Sequence, residues 1–374
     1  MWVFYLVACC LAIVSLVAYI RSSKVAGWEF VILSASAFAM AGIFHFLAYY
    51  SATADVETWS GSLIEVVHRP KWVSIHHHTV SNGKTTTTYT YFIPHDEYWY
   101  AADSLNQEID ISESVFDKFV SQWKERGYEI KKRWGSRPDY FSGDHYDYYV
   151  TCPTEIIEPT TAIRHFENRV KAGPTAFQFS WTDPQDSTIP DYPENSNRLR
   201  SDRVIGTARS TVDTRKWDIL NAKLGPSKFV NLILVGTHAG PEKAQQIRSK
   251  WIGGKKNDLV MVFGGPPSKP SWVEVFGWTE SELCKANLRT ILLTHPIDNS
   301  ILPLIEKEVR ANYTIKDWSK FEYINIEPPL WSYLVFVLTL MIIQAVLYFN
   351  FFTNERGKKT SNYGKYTRTR RYRS

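Results

Sequence analysis

Residues 2–20, WVFYLVACCLAIVSLVAYI, run for nineteen positions without a charge, and nearly all of them are apolar. At about 1.5 Å per residue in a helix, that length crosses a hydrocarbon core of roughly 30 Å. A secretory signal places positive residues ahead of its apolar run, and here only Met1 precedes it. Two further runs have the same character. Phe30 to Tyr50 is interrupted only by small residues and His45, and Leu330 to Phe352 follows Pro328-Pro329 without a charge. The expectation is an integral membrane protein with three transmembrane helices, at 1–20, 30–50 and 330–352.

Charge orients these spans. The short loop at 21–29 carries Arg21 and Lys24. The tail at 353–374 carries eight Lys and Arg, among them Arg368, Arg370 and Arg371, against the single acid Glu355. Both segments are expected in the cytoplasm as membrane-anchoring basic clusters, and three spans satisfy both at once. Residues 51–329 then lie outside the cytoplasm. Trp28, Tyr49, Tyr50, Trp331 and Tyr333 fall at the interfaces, where aromatic belts form. In the second span Ala35, Ala39 and Gly42 recur at helical spacing, a pattern that suits helix packing within the chain or a homo-oligomer.

The formal charge of +5 is segregated: the tail alone holds a net +7, leaving −2 elsewhere. The folded part is therefore not a basic nucleic-acid binder, and anionic lipid is the expected partner of the tail. A content of 44% hydrophobic residues excludes disorder along the chain, and four cysteines exclude a disulfide-dense scaffold. Cys152 and Cys284 could pair only if folding brings them together.

Residues 51–181 read as a β-rich domain. Val73–Val80 and Thr85–Phe92 flank Ser81-Asn82-Gly83-Lys84, and Asn-Gly between β-formers indicates a hairpin with a two-residue turn. That register sets His78 opposite Thr87 and His76 opposite Tyr89. His76 and His78 then share one face and become candidate zinc ligands if His95, Asp96, His145 or Asp147 supplies a third. The Thr-rich ribbon is equally a candidate protein-docking edge. One helix, with Ser114 as its expected cap, interrupts the strands. Residues 182–203, rich in Pro, Asp and Asn, are expected to link two domains.

Residues 204–327 alternate helix and strand. Thr214–Leu224 reads as a helix stopped by Gly225-Pro226, Phe229–Val235 as a buried strand, and Pro241–Trp251 as a helix. Asp258–Phe263 is a second buried strand, expected parallel to the first. Trp272–Phe276 follows as an antiparallel neighbour. Thr279 and Glu282 form a capping box for the next helix, and Asp298–Asn312 reads as the last. Gly236-Thr-His238-Ala-Gly240 joins a strand end to a helix start, where backbone N–H groups can hold an anion, so Gly236, His238 and Gly240 are candidate ligand-binding residues.

The run from Ala244 through Trp251, Gly253-Gly254-Lys-Lys-Asn and Asp258 to Phe263 resembles the centre of a TPM domain, and the match extends over roughly 215–315. The wider layout resembles uncharacterised integral membrane proteins of tailed bacteriophages, through Glu57-Thr58-Trp59-Ser60-Gly61, Phe166-Glu-Asn-Arg-Val170 and the C-terminal half. The phage resemblance implies a place in the host cell envelope, in the inner membrane, beside envelope or phage proteins. The TPM resemblance implies phosphatase activity, divalent-ion binding or an adaptor role, with Asp258 at the family's turn acid. The chain carries no Walker loop and no Ser-His-Asp grouping, so no catalytic residue is assigned and no cofactor is expected, save a divalent metal under the hydrolase reading. The expected function is an anchored envelope protein whose outer domains dock other proteins. The alternative is a membrane-anchored TPM-type phosphatase or other divalent-metal-dependent hydrolase.

Overall fold

A computed structural model describes residues 2–21, 27–138, 140–173, 188–193, 199, 201–326 and 328–367, with side chains to Asn350 except those of Ala18, Arg21 and Gly27. Helices α1 (Val3–Arg21) and α2 (Gly27–Thr53) open the chain. Strand β1 (Ala54–Arg69) follows α2 without a break. It pairs antiparallel with β4 (Tyr98–Asp103), while β2 (Trp72–Ser81) and β3 (Thr86–His95) form a hairpin of their own. Next come β5 (Glu108–Ile111), α3 (Glu113–Lys124), β6 (Lys131–Trp134), β7 (Phe141–Gly143), β8 (Tyr146–Thr151), β9 (Pro159–Glu167) and α4 (Arg169–Ala172). The main sheet has the order β5-β4-β1-β8-β6, with β9 also on β1, and the hairpin makes a separate sheet, β3-β2-β7. Leu63, Val66, Ala101 and Val150 bury the inner face of the main sheet against Phe116 and Trp123 of α3. Ser112, not Ser114, caps α3, accepting from the Val115 N–H.

The α/β half contains β10 (Val204–Gly206), α5 (Thr214–Lys228), β11 (Asn231–Thr237), α6 (Glu242–Lys250), β12 (Asp258–Gly264) and β13 (Trp272–Gly277), then α7 (Glu282–Thr294) and α8 (Leu302–Asn312). Strands β11 and β12 are parallel and β13 is antiparallel, as the alternating pattern predicts, and β10, which the sequence reading did not include, adds a parallel strand beside β11. Every residue of β12 is buried because helices cover both faces. Trp217, Leu220, Cys284, Leu288 and Ile305 pack on one face. Ile247 and Trp251 pack on the other.

Three boundaries differ from the sequence reading. Helix α5 does not stop at Gly225-Pro226 but runs to Lys228 and ends on Phe229, which takes a left-handed φ of 53°. The N-cap of α7 is Ser281; the Thr279 hydroxyl instead donates to the Thr314 carbonyl at 2.7 Å. The described part of the expected linker is packed: Ile189 is buried, and Ile189 and Pro190 carbonyls accept from Lys250 and Trp251. The β-rich and α/β halves accordingly form one compact unit, Val56–His165 with 179–318, rather than two tethered domains.

The other unit takes 1–55, 166–178 and 319–374, including α9 (Leu330–Thr367). Among the described residues two helices are long and apolar enough to cross a membrane, Trp28–Thr53 and Leu330–Asn350, and α1 offers the shorter apolar run Val3–Val17. The three pack together through Phe4, Ala8, Ala37, Ala41, Phe336 and Leu340. Phe4 stacks on Tyr333 and meets Phe336 edge-on. Gln344 donates to the Leu33 carbonyl and to Ser36 Oγ. The packed small residues are thus Ala37, Ala41 and Ala48, whereas Ala35 and Ala39 face outward and Gly42 has open space beside it. Phe166-Glu-Asn-Arg-Val170 latches onto the end of α2: Glu167 accepts from Tyr49, the Asn168 N–H donates to Thr53 O at 2.7 Å, and Asn168 Nδ2 reaches Asp55 at 2.7 Å. Lys24, Arg368, Arg370 and Arg371 lie outside the described residues, as does the Arg21 side chain.

Candidate functional site

The stretch Glu57–Gly61, picked out in the sequence, is where the β-rich and α/β halves meet. Asn257 Nδ2 donates to Thr58 O at 2.7 Å, and Arg203 Nη2 donates to Ser60 Oγ at 2.8 Å. Arg203 is buried and lies 3.6 Å from Asp218, which also accepts from Ser201 Oγ. A Cβ at Gly61 would lie 2.7 Å from the Leu105 and Ser104 side chains, which would have to shift to admit it.

Beside this join lies a cleft of about 330 Å³. Its aromatic walls are Trp59, Phe229 and Trp318, with Trp59 and Phe229 ring centroids 5.1 Å apart. Glu57, Lys256, Lys316 and Asp317 are its charged residues. Glu57 is 6% exposed, its Oε1 accepts from the Trp59 indole at 2.7 Å, and its Oε2 is buried with no hydrogen-bond partner. Burial pushes the Glu57 carboxyl above its ordinary range, partly offset by the Trp59 hydrogen bond and Lys256. A second cleft, of about 380 Å³, contains Glu158, Arg215 and Asp218. Its charges are satisfied within the protein: Arg215 grips Glu158 at 2.7 and 2.9 Å, and Asp218 faces Arg203.

Asp258, the turn acid of the sequence reading, is fully buried and serves the fold. It accepts from Asn231 Nδ2 at 2.7 Å, the Lys255 N–H at 2.6 Å and Tyr192 Oη at 2.9 Å. Burial pushes its carboxyl up, against these three donors. Gly236 is closed in: a Cβ there would stand 2.3 Å from Thr207 Oγ1 and 2.7 Å from the Phe263 ring. At Gly240 a Cβ would meet the Glu242 carboxylate at 2.5 Å, so a side-chain anion already stands near the α6 start. His238 is exposed on the loop between.

The hairpin turns on Gly83-Lys84 rather than Asn82-Gly83. Asn82 Oδ1 accepts from the Lys84 and Thr85 N–H groups and from Thr85 Oγ1, an Asx turn that places Asn82 at the first corner. His76 therefore pairs with Tyr91 and His78 with Tyr89. The shift is two residues, so the face shared by His76 and His78 is kept. His76 Nε2 bonds Ser74 Oγ, which also reaches His95 Nε2, and the His76 ring stacks on Tyr91. Asp147, an expected third ligand, is instead gripped by Arg69 at 2.7 Å and Arg137 at 3.0 Å. Among the described residues no group of three or more His, Cys, Asp or Glu is placed to hold a metal ion.

Strand β3 is the outermost strand of its sheet and is exposed from Thr86 to Pro94. Tyr89, Tyr91, Phe92 and Ile93 are between 41% and 64% exposed, which is unusual for four large side chains on one ten-residue strand. Cys152 and Cys284 are unpaired and buried, and burial pushes their thiols up to about 11 and about 12. Sequence reasoning missed Arg203, whose partner Ser60 comes from a distant segment, and the unpaired oxygen of Glu57, whose burial only the fold sets. The chain matches no protein-family model, and no curated protein or solved structure is detectably similar to it.

Proposed function

We propose that this protein is a three-span membrane-anchored scaffold whose outer unit docks other proteins by strand addition to β3. The observation that carries the reading is this arm: an edge strand of ten residues, open along one side, bearing exposed tyrosine and phenylalanine. A long flat edge of that kind aggregates unless a partner covers it. The apolar run of α1 packs with α2 and α9, which supports counting it as a third span. The basic loop and tail support a cytoplasmic C-terminus, with 51–329 on the opposite side. The order of elements across 214–312 supports a TPM-like domain in an adaptor role. On the same resemblance, the reading extends to a phage-encoded protein of the host inner membrane that meets envelope or phage proteins there.

The test is site-specific photocrosslinking in the native membrane, with the crosslinker at Tyr89 or Tyr91 of the full-length chain and at the buried Trp217 as control. Discrete adducts from the arm alone, lost in Thr88→Pro, are expected. In a two-residue hairpin the alternation of bonded and open pairs directs the Thr88 N–H away from β2, so proline there blocks the open edge and spares the hairpin ladder. An arm that yields no adduct beyond the control would sink the docking reading.

A further inference from the structure

We propose that the cleft between the outer halves binds one pyranose-type sugar ring, with Glu57 Oε2 accepting from its hydroxyl groups. The inference is independent of the docking arm. Glu57 is more than nine-tenths buried, and the oxygen left over from the Trp59 indole has no partner. A buried acceptor in that condition carries an uncompensated desolvation penalty, which an incoming donor relieves. The donor is an O–H or an N–H, and the rest of the lining chooses between them. Trp59, Phe229 and Trp318 offer flat apolar faces, which match the C–H face of a sugar ring. The charges balance, Glu57 and Asp317 against Lys256 and Lys316, so the lining carries no net attraction for an ion and presents both donors and acceptors, as a neutral polyol requires. About 330 Å³ is at the small end of ligand sites, suited to a single ring.

Phe229 adds an independent sign. A bulky residue at φ 53° is strained, and such outliers gather at ligand sites because the surrounding structure holds them there. Here the strain holds a 43% exposed ring against Trp59, at the cleft, rather than inside a core.

The test uses the full-length chain in lipid nanodiscs free of glycoside detergents. Saturation-transfer NMR and tryptophan fluorescence are read against methyl glycosides of glucose, galactose and N-acetylglucosamine, up to about 50 mM, with butylammonium chloride as the cationic arm. Saturable binding of at least one glycoside in the millimolar range is expected, weakened at least ~10-fold in Glu57→Gln and in Phe229→Ala, with no response to butylammonium. Phe229→Ala keeps the test decisive if Glu57→Gln fails to fold, because the Phe229 ring is largely outside the core. Saturation by butylammonium instead would make this a cation pocket and overturn the proposal. So would the absence of any saturable glycoside, or glycoside binding indifferent to both variants.

Discussion

Gly225, inside helix α5, lies with its bare Cα against the Ser60 carbonyl of β1, so that a Cβ added there would stand 2.0 Å from the oxygen. In an exposed helix, glycine to alanine stabilises by up to about 1 kcal/mol. Here the sign reverses, because backbone meets backbone and neither can move cheaply. Gly225→Ala is expected to lower the stability of the Val56–His165 and 179–318 unit by about 1–3 kcal/mol. Chemical denaturation of the reconstituted protein, followed by tryptophan emission, measures it. A stabilised variant would mean that the two halves do not meet at Ser60.

Arg203 makes the same join electrostatically. Its guanidinium is buried, bonded to Ser60 Oγ and close to Asp218, so removing it strands a buried carboxylate. Arg203→Met is expected to cost about 3–5 kcal/mol, and the double variant Arg203→Met with Asp218→Leu to recover part of that loss. Denaturation of the three proteins under one condition supplies the comparison. Equal losses in single and double variants would show that the pair is not coupled.

Why some of this was legible and some was not follows from range. The apolar spans and the β11-α6-β12 unit could be read because each is set by a continuous local pattern. The cap choices could not: Ser112 and Ser114, or Thr279 and Ser281, are equivalent in sequence, and Thr279 is taken by a carbonyl at Thr314. Gly225-Pro226 looked like a stop, yet Gly225 is present for Ser60, a contact 165 positions back in the chain. Two small-residue stripes run along α2, and only packing against α1 and α9 selects Ala37, Ala41 and Ala48 over Ala35, Ala39 and Gly42. The cleft was invisible for the same reason. Glu57, Phe229 and Trp318 are brought together by the fold alone.

The acid titration has two limbs. Burial pushes the Asp147 carboxyl up, but the hydrogen bonds and charge of Arg69, joined by Arg137, more than reverse this and hold it below the ordinary carboxylate range. Its contribution is present above the unfolded value near about 3.9 and is lost as pH falls through the lowered folded value. Burial holds Glu57, Asp218 and Asp258 the other way, above their ordinary values. Between the unfolded and the raised folded values the folded state binds more protons, so those groups make stability rise as pH is lowered. Stability of the Val56–His165 and 179–318 unit is therefore expected to peak on the acid side of neutrality and fall steeply below about pH 4. Glu57→Gln should flatten the upper limb and leave the lower one. Denaturation midpoints across pH 3–8 test both, and a monotonic rise toward pH 8 would contradict the assignment of the raised carboxyls.

Within the apolar bundle the expected effect is smaller. Gln344 Nε2 donates to the Leu33 carbonyl at 3.1 Å and Ser36 Oγ at 3.0 Å, tying α9 to α2. On the proposed membrane reading such a bond looks costly to lose, but a separated helix finds substitute partners in its unfolded state, so values for membrane helices average about 0.6 kcal/mol. The neighbouring contacts of Phe4 with Tyr333 and Phe336 remain when the amide is removed. Gln344→Leu is therefore expected to weaken helix association by about 0.5–1 kcal/mol without dissociating the bundle. Phe336→Ala, which empties a buried ring site, should cost several times more. Titration with a denaturing detergent, read by energy transfer between labels on α2 and α9, orders the two variants. A Gln344→Leu loss as large as that of Phe336→Ala would mean that hydrogen bonding, not packing, holds α9 in place.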